Sequence, residues 1–213
     1  MKTRFFLRGL FVLLALILAQ LACGALAPTE DQSSPTQPPA QAPTQAPSGG
    51  SGVDVDNAIR QWGSEAVASS EYGSDDWAAK QATGAPDTKE CGDMHTAWAA
   101  ASQDTKEWLD VFFATPVYAS EINIYETYYP NQVAEVDLID MAGEYIQIYV
   151  APPEMVDDPC PFTLTVGADG KTLVQGVRIV VDQTVVGNWN EIDAVEIVGV
   201  PGVGEPVRPT VAP

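Results

Sequence analysis

Between residues 66 and 198 apolar and polar side chains alternate in short runs instead of following a helical period. Ile122 and Ile124 face away from Asn123 and Tyr125, Val136 and Leu138 from Asp137, Ile146 and Ile148 from Gln147, and Val177, Ile179 and Val181 from Arg178. A period of two places one set of side chains on a core face and the other toward solvent, the signature of half-buried strands. The pattern predicts strands over Ala66–Tyr72, Trp108–Phe113, Ser120–Glu126, Ala134–Asp140, Tyr145–Val150, Phe162–Val166, Val177–Asp182 and Ile192–Val198. Asp140-Met141-Ala142-Gly143, between two such runs, predicts a hairpin turn with glycine in its left-handed position. Helical periodicity is confined to one turn around Trp77–Gln81. Short strands punctuated every eight to twelve residues or so predict an all-β sandwich.

The flanks read differently. Lys2, Arg4 and Arg8 precede an apolar run from Leu10 to Ala19, and Ala22-Cys23-Gly24 comes next. A short apolar core behind basic residues is a signal peptide and falls short of a comfortable membrane span. Ala22-Cys23-Gly24 resembles a bacterial lipobox, with Gln20 where leucine is usual, so Cys23 is the expected lipidation site; ordinary cleavage near Ala22 or Ala27 is the alternative. Residues 1–22 are thus the signal peptide. Residues 23–60 are a Pro/Gln/Ser/Gly-rich linker, too poor in apolar groups to offset the entropy of ordering. Residues 61–200 form the sandwich domain, and 201–213, without apolar periodicity, an unstructured tail. The expected location is the extracytoplasmic face of a cell membrane, held there by the lipid anchor.

Charge narrows the partners. Three of the ten basic residues lie in the signal peptide, so the chain beyond it carries seven against 29 acidic residues. Such a surface repels phosphate backbones and excludes nucleic acid as a partner. It suits divalent cations, or is simply a solvated coat. With Cys23 lipidated, Cys91 and Cys160 remain in an oxidising compartment, either as a disulfide or as two free thiols. His95 is the single histidine, which excludes multi-histidine zinc sites and histidine-based triads that need another one. No phosphate-cradling loop is present, and the chain reads as a non-enzyme.

An ordered set of motifs carries a family resemblance. Ala68-Ser69-Ser70-Glu71-Tyr72-Gly73, Trp77, and Gln81-Ala82-Thr83-Gly84-Ala85-Pro86-Asp87 come first. Cys91-Gly92-Asp93, Ala97-Trp98 and Glu107-Trp108-Leu109-Asp110-Val111 stand next, and Asn190-Glu191-Ile192-Asp193-Ala194-Val195-Glu196-Ile197-Val198-Gly199 closes the set. Together they resemble the SD scarf domain of pappalysins, within the discoidin-like, galactose-binding-like superfamily. The resemblance implies a jelly-roll β-sandwich and a non-catalytic role in binding or adhesion, toward an extracellular glycan or protein. A purely structural accessory domain and, more remotely, a glycoside-processing enzyme are the rival readings.

The residues offer two candidate sites. Calcium takes six to eight oxygen ligands, commonly carboxylates with backbone carbonyls from a tight loop. The Thr83–Asp87 loop offers carbonyls and Asp87, while Glu191 and Asp193, two apart, share a face if that stretch is a regular strand. Many carbohydrate-binding relatives of this superfamily place a calcium-ligating glutamate five residues before the closing glycine, where this chain has Ala194. Asp87, Glu191 and Asp193 are therefore read as one cluster, holding either Ca2+ or a hydrogen-bond network. Trp77, Tyr128, Tyr129 and Trp189 fall at loops or strand ends and are the candidate ligand-binding aromatics; Trp98 and Trp108 are expected in the core.

Overall fold

β-Branched and aromatic residues build eight antiparallel strands: β1 Ile59–Trp62, β2 Glu65–Ala68, β3 Lys106–Tyr128, β4 Val133–Asp140, β5 Tyr145–Val150, β6 Phe162–Gly167, β7 Leu173–Asp182 and β8 Glu191–Pro201. The computed structural model describes residues 55–209. Residues 1–22, expected to be a signal peptide, Cys23 and most of the expected linker lie outside the described residues.

The two runs expected at 108–113 and 120–126 are one 23-residue strand, β3. Its first part pairs with β7 on one side and, over Leu109–Phe112, with β2 on the other. Its second part pairs with β8 and, over Glu121–Glu126, with β6. The register shifts between Phe112 and Val117, where the strand passes from one layer to the other. The layers are accordingly β2-β3-β7-β4-β5 and β1-β8-β3-β6, joined through β3. Leu109, Val111 and Phe113 from its first part meet Ile122 and Ile124 from its second in one buried cluster, together with Val177, Ile179 and Val181 of β7. Each of those alternating sets points inward, as the period of two requires.

Other differences from the sequence reading have local causes. β1 begins at Ile59, ahead of the expected boundary at 61, and pairs with β8. β2 stops at Ala68; Ser69–Tyr72 starts the long crossover to β3, with the Tyr72 N–H donated to the Ala99 carbonyl. The helical turn expected around Trp77–Gln81 is a 3-10 turn over Ala79–Ala82. The Asp140–Gly143 hairpin forms as expected: Gly143 has φ +84°, and the Asp140 carboxylate accepts the N–H groups of Ala142 and Glu144. Trp98 is fully buried in the core. Trp108 is not; it lies half-buried on the outer face of its sheet, where the Arg178 guanidinium sits 4.1 Å from its ring centroid and 4.0 Å from that of Tyr145. The same guanidinium makes two hydrogen bonds, of 2.6 and 2.8 Å, to the buried Asp110 carboxylate. Residues 202–208, expected from the sequence to be unstructured, run back against the protein: Gln175 donates to the Val207 carbonyl, Val207 N–H to that of Met141, and Arg208 lies over Phe112.

Candidate functional site

The crossover from Ser69 to Thr105 carries most of the candidate chemistry, and hydrogen bonds fix it to the start of β8. Trp98 and Ile192 exchange backbone hydrogen bonds of 2.8 and 3.0 Å. The Trp98 indole donates to the Ser70 carbonyl, which ties the start of the crossover to its buried middle. Cys91 and Cys160 form a disulfide with Cα atoms 5.3 Å apart, inside the usual range, and so staple the crossover to the segment before β6.

Three aromatic rings gather at this end. Tyr72 is 55% exposed and stands edge-to-face with both Trp77 and Trp189, at centroid distances of 5.4 and 5.5 Å. With Asp93, Ala99 and Glu191 they line a small cleft of about 70 Å³. Trp77 has φ +54°, a conformation costly for a bulky side chain and held here by its N–H bond to the His95 carbonyl and by the Ala99 N–H on its own carbonyl. Its indole N–H donates to Asp93 Oδ1 at 3.1 Å, and that of Trp189 donates to the Ala100 carbonyl at 3.0 Å. Glu191, only 2% exposed, accepts the Met94 N–H at 3.0 Å. Burial pushes its carboxyl up to about 8; the Met94 N–H opposes the shift, and the neighbouring Asp93 reinforces it.

Tyr128 and Tyr129 belong to a second cleft, lined also by Cys91, Pro130, Met155, Asp157 and Cys160. Their rings meet at 85° with centroids 4.6 Å apart. Tyr129 (φ +37°) and Asn131 (φ +70°) bend the chain left-handed over the fully buried Glu126, whose pKa burial raises to about 7. The clefts adjoin: Cys91 lines one and Asp93 the other, and Tyr128 pairs with Glu191 across β3 and β8. The four aromatic candidates thus divide into two pairs at one end of the sandwich.

The three carboxylates do not converge. In the β3–β8 ladder Tyr125 pairs with Ala194 and Glu126 with Ile192, which leaves Asp193 in a bulge without a partner on β3. The regular alternation that would keep Glu191 and Asp193 on one face is broken there. Glu191 turns to Met94 and the aromatic cleft, whereas Asp193, 2% exposed, accepts the Thr88 N–H and interacts with Asp87. Burial, with Asp87 adding to it, raises Asp193 to about 6. Among the described residues no three His, Cys, Asp or Glu side chains are grouped to hold a metal ion. The Thr88 N–H thus serves the Asp87–Asp193 pair, while Glu191 stands apart from it at the aromatic cleft. Tyr72 and Asp93 complete the aromatic cleft without being singled out from the sequence; both stand in motifs already notable, Ser-Ser-Glu-Tyr-Gly and Cys-Gly-Asp.

The order of these elements, from the Trp98–Ile192 clasp to the β8 ending, matches a known domain. Residues 52–206 fit the family model described as pappalysin-1, SD scarf domain, C-terminal. The chain belongs to that family. Among curated proteins no sequence matches this scarf domain. Among solved structures it resembles a mutant of chitosan-binding module 1 from a chitosanase/glucanase of Paenibacillus sp. IK-5, at TM-score 0.51 and 16% identity over 63% of this chain and 93% of that one. It also resembles the family 32 carbohydrate-binding module of C. perfringens NanJ, solved with galactose, at TM-score 0.48 and 20% identity over 66% and 99% of the two chains. A fucolectin from striped bass (Morone saxatilis) serum aligns at TM-score 0.48 and 14% identity over 65% and 49%. What the chitosan-binding module shares with the scarf domain is the β-sandwich fold.

Proposed function

We propose that this scarf domain is a non-catalytic module that binds an extracellular glycan in the cleft of Tyr72, Trp77 and Trp189, and that it is carried on the outer face of a cell membrane by an acylated Cys23. The observation that supports this reading is the aromatic trio itself. Three rings stand at one loop end of a rigid sandwich, next to two carboxylates that accept hydrogen bonds. Sugars present apolar C–H faces to aromatic rings and hydroxyl donors to carboxylates, so the lining answers both sides of a sugar. The adjoining Tyr128–Tyr129 cleft extends the surface for a second residue of a chain. Rigid positioning favours binding, because little side-chain freedom is lost when a ligand arrives.

The test is tryptophan fluorescence of the full chain against a panel of neutral, acetylated, amino and acidic oligosaccharides. Saturable quenching by at least one glycan is expected, and Trp189→Ala should abolish it while far-UV circular dichroism stays unchanged. No saturable response to any glycan, or undiminished binding by Trp189→Ala, overturns the proposal.

A further inference from the structure

Apart from the Tyr72 hydroxyl, the side-chain donors of the aromatic cleft are already satisfied within the protein. Both indole N–H groups are bonded, Trp77 to Asp93 and Trp189 to the Ala100 carbonyl. The backbone N–H groups of Tyr72, Trp77 and Ala99 are likewise bonded, to Ala99, His95 and Trp77. Beside that hydroxyl the lining carries the two acidic groups of Asp93 and Glu191, and among the described residues no lysine or arginine lines the cleft. Glu191 is buried to 2% exposure with another acid beside it and, among the described residues, no cation in hydrogen-bond contact. A buried carboxylate is costly unless a donor or a positive charge answers it. Around it stand three aromatic rings, whose faces attract cations, trimethylammonium and protonated amines among them.

A neutral sugar hydroxyl supplies one donor and no charge. An acidic sugar adds a further acid beside the Asp93–Glu191 pair. A protonated amine supplies three donors and the missing charge in a single compact group. Resting on the glycan reading of this cleft, we infer that the sugar seated in it is an amino sugar with a free ammonium group, bound between the Asp93 and Glu191 carboxylates and the rings of Tyr72, Trp77 and Trp189. The raised pKa of Glu191 agrees with a carboxylate awaiting such a partner, since an arriving ammonium takes the place of the proton it holds.

Three β-1,4-linked tetrasaccharides that differ at one position test the inference: the glucosamine tetramer, its N-acetylated form, and the glucose tetramer with hydroxyl in place of the amine. Titrated into the full chain at pH 7 and followed by calorimetry, the glucosamine tetramer should bind at least roughly tenfold more tightly than either relative, the equivalent of about 1.4 kcal/mol. Glu191→Gln keeps the acceptor for the Met94 N–H and removes the carboxyl that ionises when the ammonium arrives; it should erase most of that preference. Asp93→Asn, at an exposed position where the amide oxygen can still accept the Trp77 indole N–H, should reduce it as well. Equal binding of all three, or tighter binding of the acetylated form, overturns the inference and leaves the glycan reading intact. Absence of binding by all three also overturns it, and the wider glycan panel then decides the parent reading. A preference that survives both substitutions marks diffuse attraction to the acidic surface and overturns the inference as well.

Discussion

The Met94 backbone N–H donates to Glu191 Oε2 over 3.0 Å, tying the middle of the long crossover to the first residue of β8. That bond holds a carboxylate inside the sandwich with an aromatic wall on one side, and it makes Glu191 the residue through which stability, acidity and binding are connected.

Stability should fall as the pH rises. Glu191, Glu126 and Asp193 are raised to about 8, 7 and 6, above the roughly 4 of an unfolded carboxyl. Each binds its proton more tightly folded than unfolded. The associated stability is therefore complete below about pH 4 and is lost as the pH climbs through the folded values. Thermal melts between pH 4.5 and 9 should show Tm declining across that window. Glu191→Gln should flatten the decline and melt above the parent chain at pH 9. A Tm that rises with pH from 5 to 8 contradicts the assignment.

The Asp87–Asp193 pair is expected to behave as a hydrogen-bonded network. Chelation of divalent cations should leave Tm unchanged, while Asp193→Ala, which leaves the buried Thr88 N–H without an acceptor, should cost about 1–3 kcal/mol. A drop of several degrees on chelation that Asp193→Ala abolishes supports calcium instead.

On the outer face, Arg178 neutralises the buried Asp110 carboxylate through two hydrogen bonds. Arg178→Ala should destabilise the domain by about 3–5 kcal/mol in denaturant titration, because it strands that charge. Adding Asp110→Asn to this variant should recover part of the loss. If Arg178→Ala costs less than ~1 kcal/mol, water reaches Asp110 and the stacked arrangement contributes little.

Most of the strands could be read from the sequence because burial on one face imposes the period of two, as in Val177, Ile179 and Val181. Strand identity was clearer than strand continuity: alternation lapses through Ala114–Pro116, where β3 changes layers, so one strand reads as two. The aromatic candidates were legible as loop residues, but their pairing depends on the crossover folding back through Trp98 onto Ile192, a contact between residues nearly a hundred positions apart. That Glu191 parts from the Asp87–Asp193 pair was hidden for a different reason. A bulge at Asp193 leaves no mark in the hydrophobic pattern, since Ile192 and Val195 are both buried whether the ladder slips or not. Arg178 and Trp108 show the same limit: an outer face that is covered by its own side chains looks, in sequence, like either core or solvent.

β3 belongs to both layers at once. Leu109 and Ile124 sit in opposite sheets and yet are consecutive stretches of a single ladder-forming segment. Detaching β7 from its first half or β8 from its second exposes the inner face of the same strand. The two layers therefore share one strand, and the fluctuations that release the core are expected to be global ones, which places the clefts at its loop end on a scaffold that yields as a unit.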